Sequence, residues 1–404
     1  MKNKFFRKLR KLASSPGEAF LDSKYVLRAA TKIDSLNSAN SYLASFSKKF
    51  NALVEKNLFR YLGDNWQTDK KIAVLFGFSA WKTKFIADYL KEYRVLYVNP
   101  VTPLEWLEKK LPNPKDLVFF IWAYPVANTP YKEFLKANKL PVIRVEDGFL
   151  RSVELGINHS VPYSLVFDKT GLYFNALASS DLEMLLNNYD FASSQELLKK
   201  SKELMELYCK LRLSKYNLPS SDTAVKLLGK KTKKRVLVIG QVLTDASIKY
   251  GCAANWDNEK LIALAMRENP ESEIIYRSHP DLKNRKDALT LPKGVLCLNG
   301  EVNLAELFGQ VDHVYVMTSL SGMEALLHGL KVTVVGMPFY AGWGLTDDRQ
   351  ICGRRKRKLT LAELFCGAYI LYPRYLTTEE DSFEGCKSIM YRLNAERAKK
   401  FYKS

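Results

Sequence analysis

From Lys71 onward, short runs of apolar residues alternate with amphipathic stretches along most of the chain. KIAVLFGF, RVLYVNP and DLVFFIWAYP are brief, almost unbroken in apolar character and bounded by polar or turn residues, which predicts buried strands. WKTKFIADYLKEY and the shorter YKEFLKAN carry helical spacing, and PVIRVE and YSLVFD follow as further strands. A long helix is predicted from about Ser193 to Leu213, then a linker rich in Pro, Ser and Lys that ends in GKKTKKR. At Arg235 the alternation restarts. VLVIG, EIIYR, VLCLN, HVYVMTS and KVTVVG are predicted strands; NEKLIALAMRE, LSGMEALLHG and the closing LTLAELFCGAYIL are predicted helices. Such alternation builds βα units and parallel sheets. The expected fold class is α/β, with two Rossmann-like, doubly wound lobes at 71–225 and 226–404 behind a basic, helical segment at 1–70. Ligands of such sheets bind beyond the carboxyl ends of the strands, so chemistry is sought in the loops there.

Composition adds bounds. With 404 residues, 47% of them hydrophobic, the chain can bury two cores. An excess of 62 Lys+Arg over 43 Asp+Glu, a net charge of +19, favours a polyanionic partner or a generally basic surface. The six cysteines contain no C-x-x-C pair and the four histidines do not cluster, which argues against zinc and against a disulfide framework. No apolar run is long enough to span a membrane. The N-terminal MKNKFFRKLRKL lacks the h-region of a secretory signal, so a cytoplasmic chain is expected. In it Phe5, Phe6, Leu9 and Leu12 recur at helical spacing among Lys2, Lys4, Arg7, Lys8, Arg10 and Lys11. This pattern suits a helix lying on an anionic leaflet, at the inner face of the inner membrane; docking on the protein's own core is the alternative.

Five loops carry candidate chemistry. In Val316–Glu324, Thr318, Ser319, Ser321 and Gly322 stand where a strand turns into a helix, suited either to a phosphate or to capping. Tyr276–Asp281 holds Arg277 and His279, a cation beside a histidine able to bond a leaving phosphate or shuttle a proton. Gly240–Ser247 contains Gln241 and Asp245, the latter a nucleophile, a base or a helix cap. Arg144–Ser152 sets Glu146 and Asp147 between Arg144 and Arg151, an acid/base pair or a salt-bridge network. Met337–Arg349 interleaves Phe339, Tyr340 and Trp343 with Gly342 and Gly344, a wall for a base or sugar or a packed corner. The run RRKRK at 354–358 reads as a solvated basic patch. No D-x-D triplet, P-loop or G-x-G-x-x-G after a strand is present, which disfavours metal-bound nucleoside diphosphates, ATPases and dinucleotide enzymes.

Taken together, EDGFLRS, GLYFNA, GQVLTDASI, SHPD, TSLSGMEALLHG, PFYAGWGLTDD and ILYPRY resemble the capsule-polysaccharide synthesis proteins of the KpsC/LipB kind, the β-Kdo transferases. The segments run from about Arg144 to Tyr375 in the family's order; the N-terminal third matches only in general α/β character. The resemblance implies a GT-B-type glycosyltransferase that transfers Kdo from CMP-β-Kdo with retention and without a metal or other cofactor. It implies an acceptor side in the first lobe and a CMP-sugar side in the second. Retention suggests double displacement, with Asp245 as nucleophile and Glu146, or Asp147 in its place, activating the acceptor. His279, Ser319 and Ser321 would hold the phosphate, and Arg151 or Arg277 the sugar carboxylate. Gly342 and Trp343 would border the nucleotide, with Gln241, Thr318 and Gly322 completing the binding set. The implied partners are a CMP-sugar, a glycan or glycolipid acceptor of capsule or lipopolysaccharide, and an anionic membrane surface. Two departures stand out: Glu154 where glycine is expected, and Thr244 where an acidic residue often precedes the Asp. The family's well-known members carry two such modules and this chain has one, which suggests a single linkage.

Two rival classes share some of these features. A CDP-glycerol or CDP-ribitol phosphotransferase also pairs two lobes with a His loop and a Ser-rich phosphate helix, but lacks EDGFLRS and PFYAGWG. A non-catalytic glycan- or nucleic-acid-binding protein would explain the charge. No RNP-like or helix-turn-helix signature is present, so nucleic acid is not an expected partner.

Overall fold

In a computed structural model of the chain, the structure describes residues 59–62, 69–98, 114–123, 130–153, 159–215, 217, 223–253, 255–279, 291–298 and 302–401. The basic N-terminal segment, including Phe5, Phe6, Leu9 and Leu12, lies outside the described residues, as do Glu154 and Asp281. The chain divides into two compact units, Met1–Glu146 and Asp147–Ser404. The restart of the pattern at Arg235 marks the beginning of a second sheet inside the second unit.

The first unit contains β1 (Phe59–Leu62), β2 (Ile72–Phe76), β3 (Arg94–Val98) and β4 (Leu117–Trp122). Its last strand, β5 (Val142–Asp147), ends at the unit boundary. These strands lie in the order β1-β3-β2-β4-β5, parallel except for β1 against β3. All five residues of β2 are buried, as an apolar run between two parallel neighbours requires. The segment predicted as one helix after β2 is instead a 3-10 turn, Ala80–Lys84, followed by the single turn α1 (Ile86–Tyr89). No side chain caps either start, which leaves the first N–H groups without the bonds that would extend a helix. The short helix α2 (Pro130–Ala137) stands as predicted.

The second unit holds the antiparallel pair β6 (Ser164–Asp168) and β13 (Pro373–Tyr375) together with a six-stranded parallel sheet. Between β6 and that sheet come α3 (Asp181–Asn188), α4 (Gln195–Lys210) and α5 (Thr223–Leu228), the last inside the predicted linker. The sheet strands are β7 (Arg235–Ile239), β8 (Glu273–Arg277), β9 (Val295–Leu298), β10 (His313–Val316), β11 (Lys331–Val334) and the short β12 (Asp347–Asp348). Their helices are α6 (Ala246–Gly251), α7 (Asn258–Glu268), α8 (Leu304–Phe308) and α9 (Ser321–Leu327). Asp257 caps α7 by accepting from the Lys260 N–H, so the helix begins where the sequence pattern does. Arg235 is buried at the start of β7, where it bonds Glu273 at 2.6 Å and the Leu228 carbonyl at 2.6 Å, tying the end of α5 to the sheet. The predicted closing helix is α10 (Leu361–Phe365), opened by a Thr360–Glu363 capping box and continued by a π-helical stretch, Cys366–Leu371. A twenty-residue helix, α11 (Ser382–Phe401), closes the chain and buries Phe383, Cys386, Ile389, Met390 and Leu393.

Candidate active site

The second sheet has the order β12-β11-β10-β7-β8-β9. From β7 the chain steps to β8 and β9 on one side, then returns to β10 and steps away on the other. The loops after β7 and β10 therefore diverge and leave a crevice, the usual ligand position in such a sheet. Gln241 follows β7 and Thr318 follows β10. The Thr318 N–H donates to Gln241 Oε1 at 2.8 Å, and Gln241 Nε2 donates to Thr318 Oγ1 at 3.1 Å. Asn258 grips the Gln241 backbone reciprocally, each bond 3.0 Å. All the polar groups of Gln241 thus have partners inside the protein, which makes it a clasp between the two loops. From Thr318 the chain of bonds runs on: its hydroxyl donates to Ser247 Oγ at 3.0 Å, and the Ser247 N–H donates to Asp245 Oδ1 at 2.8 Å. Asp245, exposed at the start of α6, is both a helix cap and a carboxylate fixed at the switch point.

Beside it, Ser319 Oγ accepts from the Ser321 N–H at 3.2 Å, and the Ser319 carbonyl accepts from the Gly322 N–H and the Tyr340 hydroxyl. Gly322 is required by this contact, because a Cβ there would lie 2.2 Å from the Tyr340 hydroxyl oxygen. Arg277, at the end of β8, is buried and its guanidinium bonds the Val302 carbonyl at 3.4 Å. Burial pushes its pKa down while the charge of Glu324 opposes the shift. Glu324, buried in α9, accepts from the Lys215 N–H at 2.7 Å and the Tyr208 hydroxyl at 3.4 Å. Burial raises the Glu324 carboxyl, against the pull of the Lys215 N–H and of Arg277. His279, half-buried, stands two residues past β8 on the same edge.

The aromatic loop is a packed corner. Trp343 is fully buried and its indole N–H donates to the Phe339 carbonyl at 2.8 Å. Gly342 has φ +83°, a conformation that disfavours a side chain, and its N–H donates to Asp348 at 2.9 Å. The basic run expected to be solvated supplies the clamp. Arg355 is buried, donates to the Pro338 and Ala341 carbonyls and lies 5.5 Å from the Trp343 ring centroid. Arg354 and Arg355 converge on the buried carboxylate of Glu183, at 2.6 and 3.1 Å. Buried charge must be paired, and Glu183 sits 171 residues earlier, so the sequence offers no local sign of the pairing.

In the EDGFLRS loop the Arg151 guanidinium is engaged by Asp147 at 2.7 Å, Ser152 at 2.7 Å and Ser160 at 2.8 Å. Phe149 packs on Tyr173 at 4.9 Å and Phe339 at 4.5 Å, and the Ala176 N–H donates to the Tyr250 carbonyl at 3.0 Å. From Asp147 on, the EDGFLRS segment thus meets GLYFNA and PFYAGWG within the second unit, and GLYFNA is tied to the helix that Asp245 caps. Glu146 lies at the end of β5 in the first unit, half-buried.

The first unit has a switch point of its own, between β2 and β4. There Lys82 Nζ lies 2.9 Å from the centroid of Trp122, Phe78 meets that ring edge-on at 5.3 Å, and Ala123 takes φ +51° with its carbonyl bonded to Arg144 at 2.9 Å. These residues carry no sign in the sequence, since single aromatics at strand ends have no spacing signature.

Residues 120–375 match the family described as capsule polysaccharide biosynthesis protein. A Rhizobium meliloti protein, lipopolysaccharide-processing protein LpsZ, is 42% identical over 325 residues, 78% of this chain and 73% of that one. This chain belongs to the capsule polysaccharide biosynthesis family. The Neisseria meningitidis serogroup B capsule polysaccharide modification protein LipA is 40% identical over 253 residues, 61% of this chain and 35% of LipA. Among solved structures, the Thermosulfurimonas dismutans KpsC β-Kdo 2,4 transferase aligns with a TM-score of 0.66 and 32% identity, over 78% of this chain and 97% of that one. The KpsC β-Kdo 2,7 transferase aligns at 0.60 and 30% identity, over 80% and 99%. The fold class is that of the GT-B glycosyltransferases, with two parallel-rich α/β sheets. Among the described residues, no helix is long and apolar enough to cross a membrane.

Proposed function

We propose that this chain is a retaining β-Kdo glycosyltransferase that moves Kdo from CMP-β-Kdo to a lipid-linked or cell-surface glycan in capsule or lipopolysaccharide biosynthesis. The observation that carries the reading is the likeness to the KpsC β-Kdo 2,4 transferase along 97% of that chain. The hydrogen-bonded Asp245 at the switch point of the second sheet supports it independently.

In the proposed double displacement, an Asp245 carboxylate oxygen attacks the anomeric carbon of Kdo as the bond from that carbon to the phosphate oxygen breaks and CMP leaves. An acceptor hydroxyl, its proton taken by Glu146, then attacks the same carbon and releases the Asp245 carboxylate. Ser247 holds one oxygen of Asp245, so the attacking group keeps one orientation. Asp147, paired with Arg151, is better suited to shaping the loop than to taking a proton. His279, Ser319 and Ser321 are assigned to the CMP phosphate, a single phosphate (a diester in the donor, a monoester once CMP leaves) that needs less charge neutralisation than a diphosphate, and the reading requires no metal. Arg277 at the sheet edge is the candidate for the sugar carboxylate, with Arg151 already engaged. The basic segment before residue 13 is assigned to an anionic membrane surface, where a lipid-linked acceptor would be met.

The test generates CMP-Kdo in situ, supplies Kdo- and galactose-terminated lipid acceptors, and follows product mass, with CDP-glycerol as the alternative donor. A Kdo increment is expected with wild type, and a loss of about 1000-fold or more with Asp245→Asn. Turnover with CDP-glycerol alone, or full activity in Asp245→Asn, would overturn the donor or the mechanism respectively.

A further inference from the structure

The hydrogen-bond chain at the switch point also fixes where protons point. A backbone N–H can only donate, so the Thr318 N–H bond at 2.8 Å identifies the Gln241 oxygen and places Nε2 against Thr318 Oγ1. An amide NH₂ also only donates, so Thr318 Oγ1 accepts from it; the geometry of the 3.0 Å contact with Ser247 Oγ makes Thr318 the donor there. Ser247 Oγ is therefore an acceptor on its protein side. Its own proton has no acceptor among the described residues and is left to donate outward, two residues from Asp245 and on the half-buried side of α6.

What that proton meets follows from the displacement geometry. If Asp245 attacks in line, the leaving phosphate is on the far side of the anomeric carbon. A donor beside Asp245 therefore faces the other substituents of that carbon. In a 2-keto-3-deoxy sugar acid one of those substituents is a carboxylate, which would otherwise confront the Asp245 carboxylate across a few ångströms. We infer that the Ser247 hydroxyl donates to the carboxylate on the anomeric carbon of the donor sugar, making Ser247 a specificity-determining residue for acidic keto sugars. This rests on the Kdo-transfer reading above. Gln241, Thr318 and Asn258 are then positioning residues: they orient the hydroxyl without touching substrate.

The experiment uses the full chain with CMP-Kdo held at known concentrations by a coupled synthetase. It measures kcat and KM for the donor in wild type, Ser247→Ala and Ser247→Thr, together with the inhibition constant of CMP. One hydrogen bond to a charged group predicts a fall of about 10- to 100-fold in kcat/KM for Ser247→Ala, and most of the activity restored in Ser247→Thr. CMP carries the phosphate but no sugar, so its inhibition constant should stay within about twofold of wild type in all three, the scatter of a change that touches no contact. A parallel rise for CMP would assign Ser247 to the phosphate and overturn the inference, as would an unchanged kcat/KM in Ser247→Ala. Unaltered CMP inhibition in Ser247→Ala also certifies its fold; should that variant not fold, Ser247→Cys, with a weaker donor, must lose donor kcat/KM in its place. Wild type without Kdo transfer would refute the underlying function and this inference with it, whereas transfer with an indifferent Ser247→Ala refutes the inference alone.

Discussion

The two switch points of this molecule are built on the same plan and filled with opposite chemistry. In the second unit the crevice between β7 and β10 is bridged by an amide and two hydroxyls in a directed chain of hydrogen bonds, and the Ser247 backbone N–H adds the Asp245 carboxylate. In the first unit the crevice between β2 and β4 holds Trp122, Phe78 and the ammonium of Lys82. A doubly wound parallel sheet supplies the crevice in both, because adjacent chain crossovers diverge there. The side chains at the strand ends decide what each can take. Directed polar groups suit the charged, reacting end of an activated sugar. An indole beside a cation suits a sugar ring that carries an acid, stacked on its apolar face.

Trp122→Leu removes the ring that Lys82 covers. If this crevice takes the acceptor glycan, acceptor KM rises by about 10-fold, from the loss of roughly 1.4 kcal/mol of contact, while donor KM stays unchanged. Steady-state kinetics with acceptor and donor varied separately checks it, and an equal rise in both constants would assign Trp122 to stability instead.

A smaller effect tests the opposite edge of the second sheet, which the account treats as structural. His313 is buried at the start of β10, with Nε2 against the Thr333 hydroxyl at 2.8 Å. That hydroxyl itself donates to Asp347, so the histidine donates from Nε2. Nδ1 is buried without a partner. Burial, helped by Lys331 and Lys234 and opposed by Asp347, takes the pKa from 6.5 down to about 4. The folded state therefore binds fewer protons than the unfolded one between those values. The stability present above pH 6.5 is lost as pH falls toward 4, and the loss levels off below that. His313→Gln should shrink the acid-side drop in melting temperature between pH 7 and pH 5 by a few degrees and leave transfer at pH 7.5 unaltered, within about twofold.

Much of the fold is legible in the amino-acid pattern. Apolar runs such as IAVLF and RVLVI are buried on both faces, so composition alone marks them as parallel strands. The position of the Asp245, Thr318 and Ser319 loops at the strand ends was legible because each directly follows an apolar run. What stayed hidden depends on contacts distant in sequence. Gln241 and Thr318, 77 residues apart, read as substrate contacts but clasp each other. Trp343, assigned to the nucleotide wall, is in the core beneath its loop, and Arg355, assigned to solvent, is buried under it. Arg151, offered to the sugar carboxylate, is engaged by Asp147, Ser152 and Ser160. In each case a residue type with two roles was given the local one. The helix α11 escaped although Phe383, Cys386, Ile389, Met390 and Leu393 recur at helical spacing, because the exposed Tyr391 and Phe401 blur that stripe along SFEGCKSIMYRLNAERAKKF.

The claim that the second crevice takes the nucleotide is tested most directly by hydrogen–deuterium exchange of the full chain with and without CMP. Slowed exchange is expected in peptides covering 240–251 and 317–323, with 77–84 and 117–123 unchanged. Protection confined to 77–84 and 117–123 would contradict it, because the nucleotide would then sit in the aromatic crevice of the first unit.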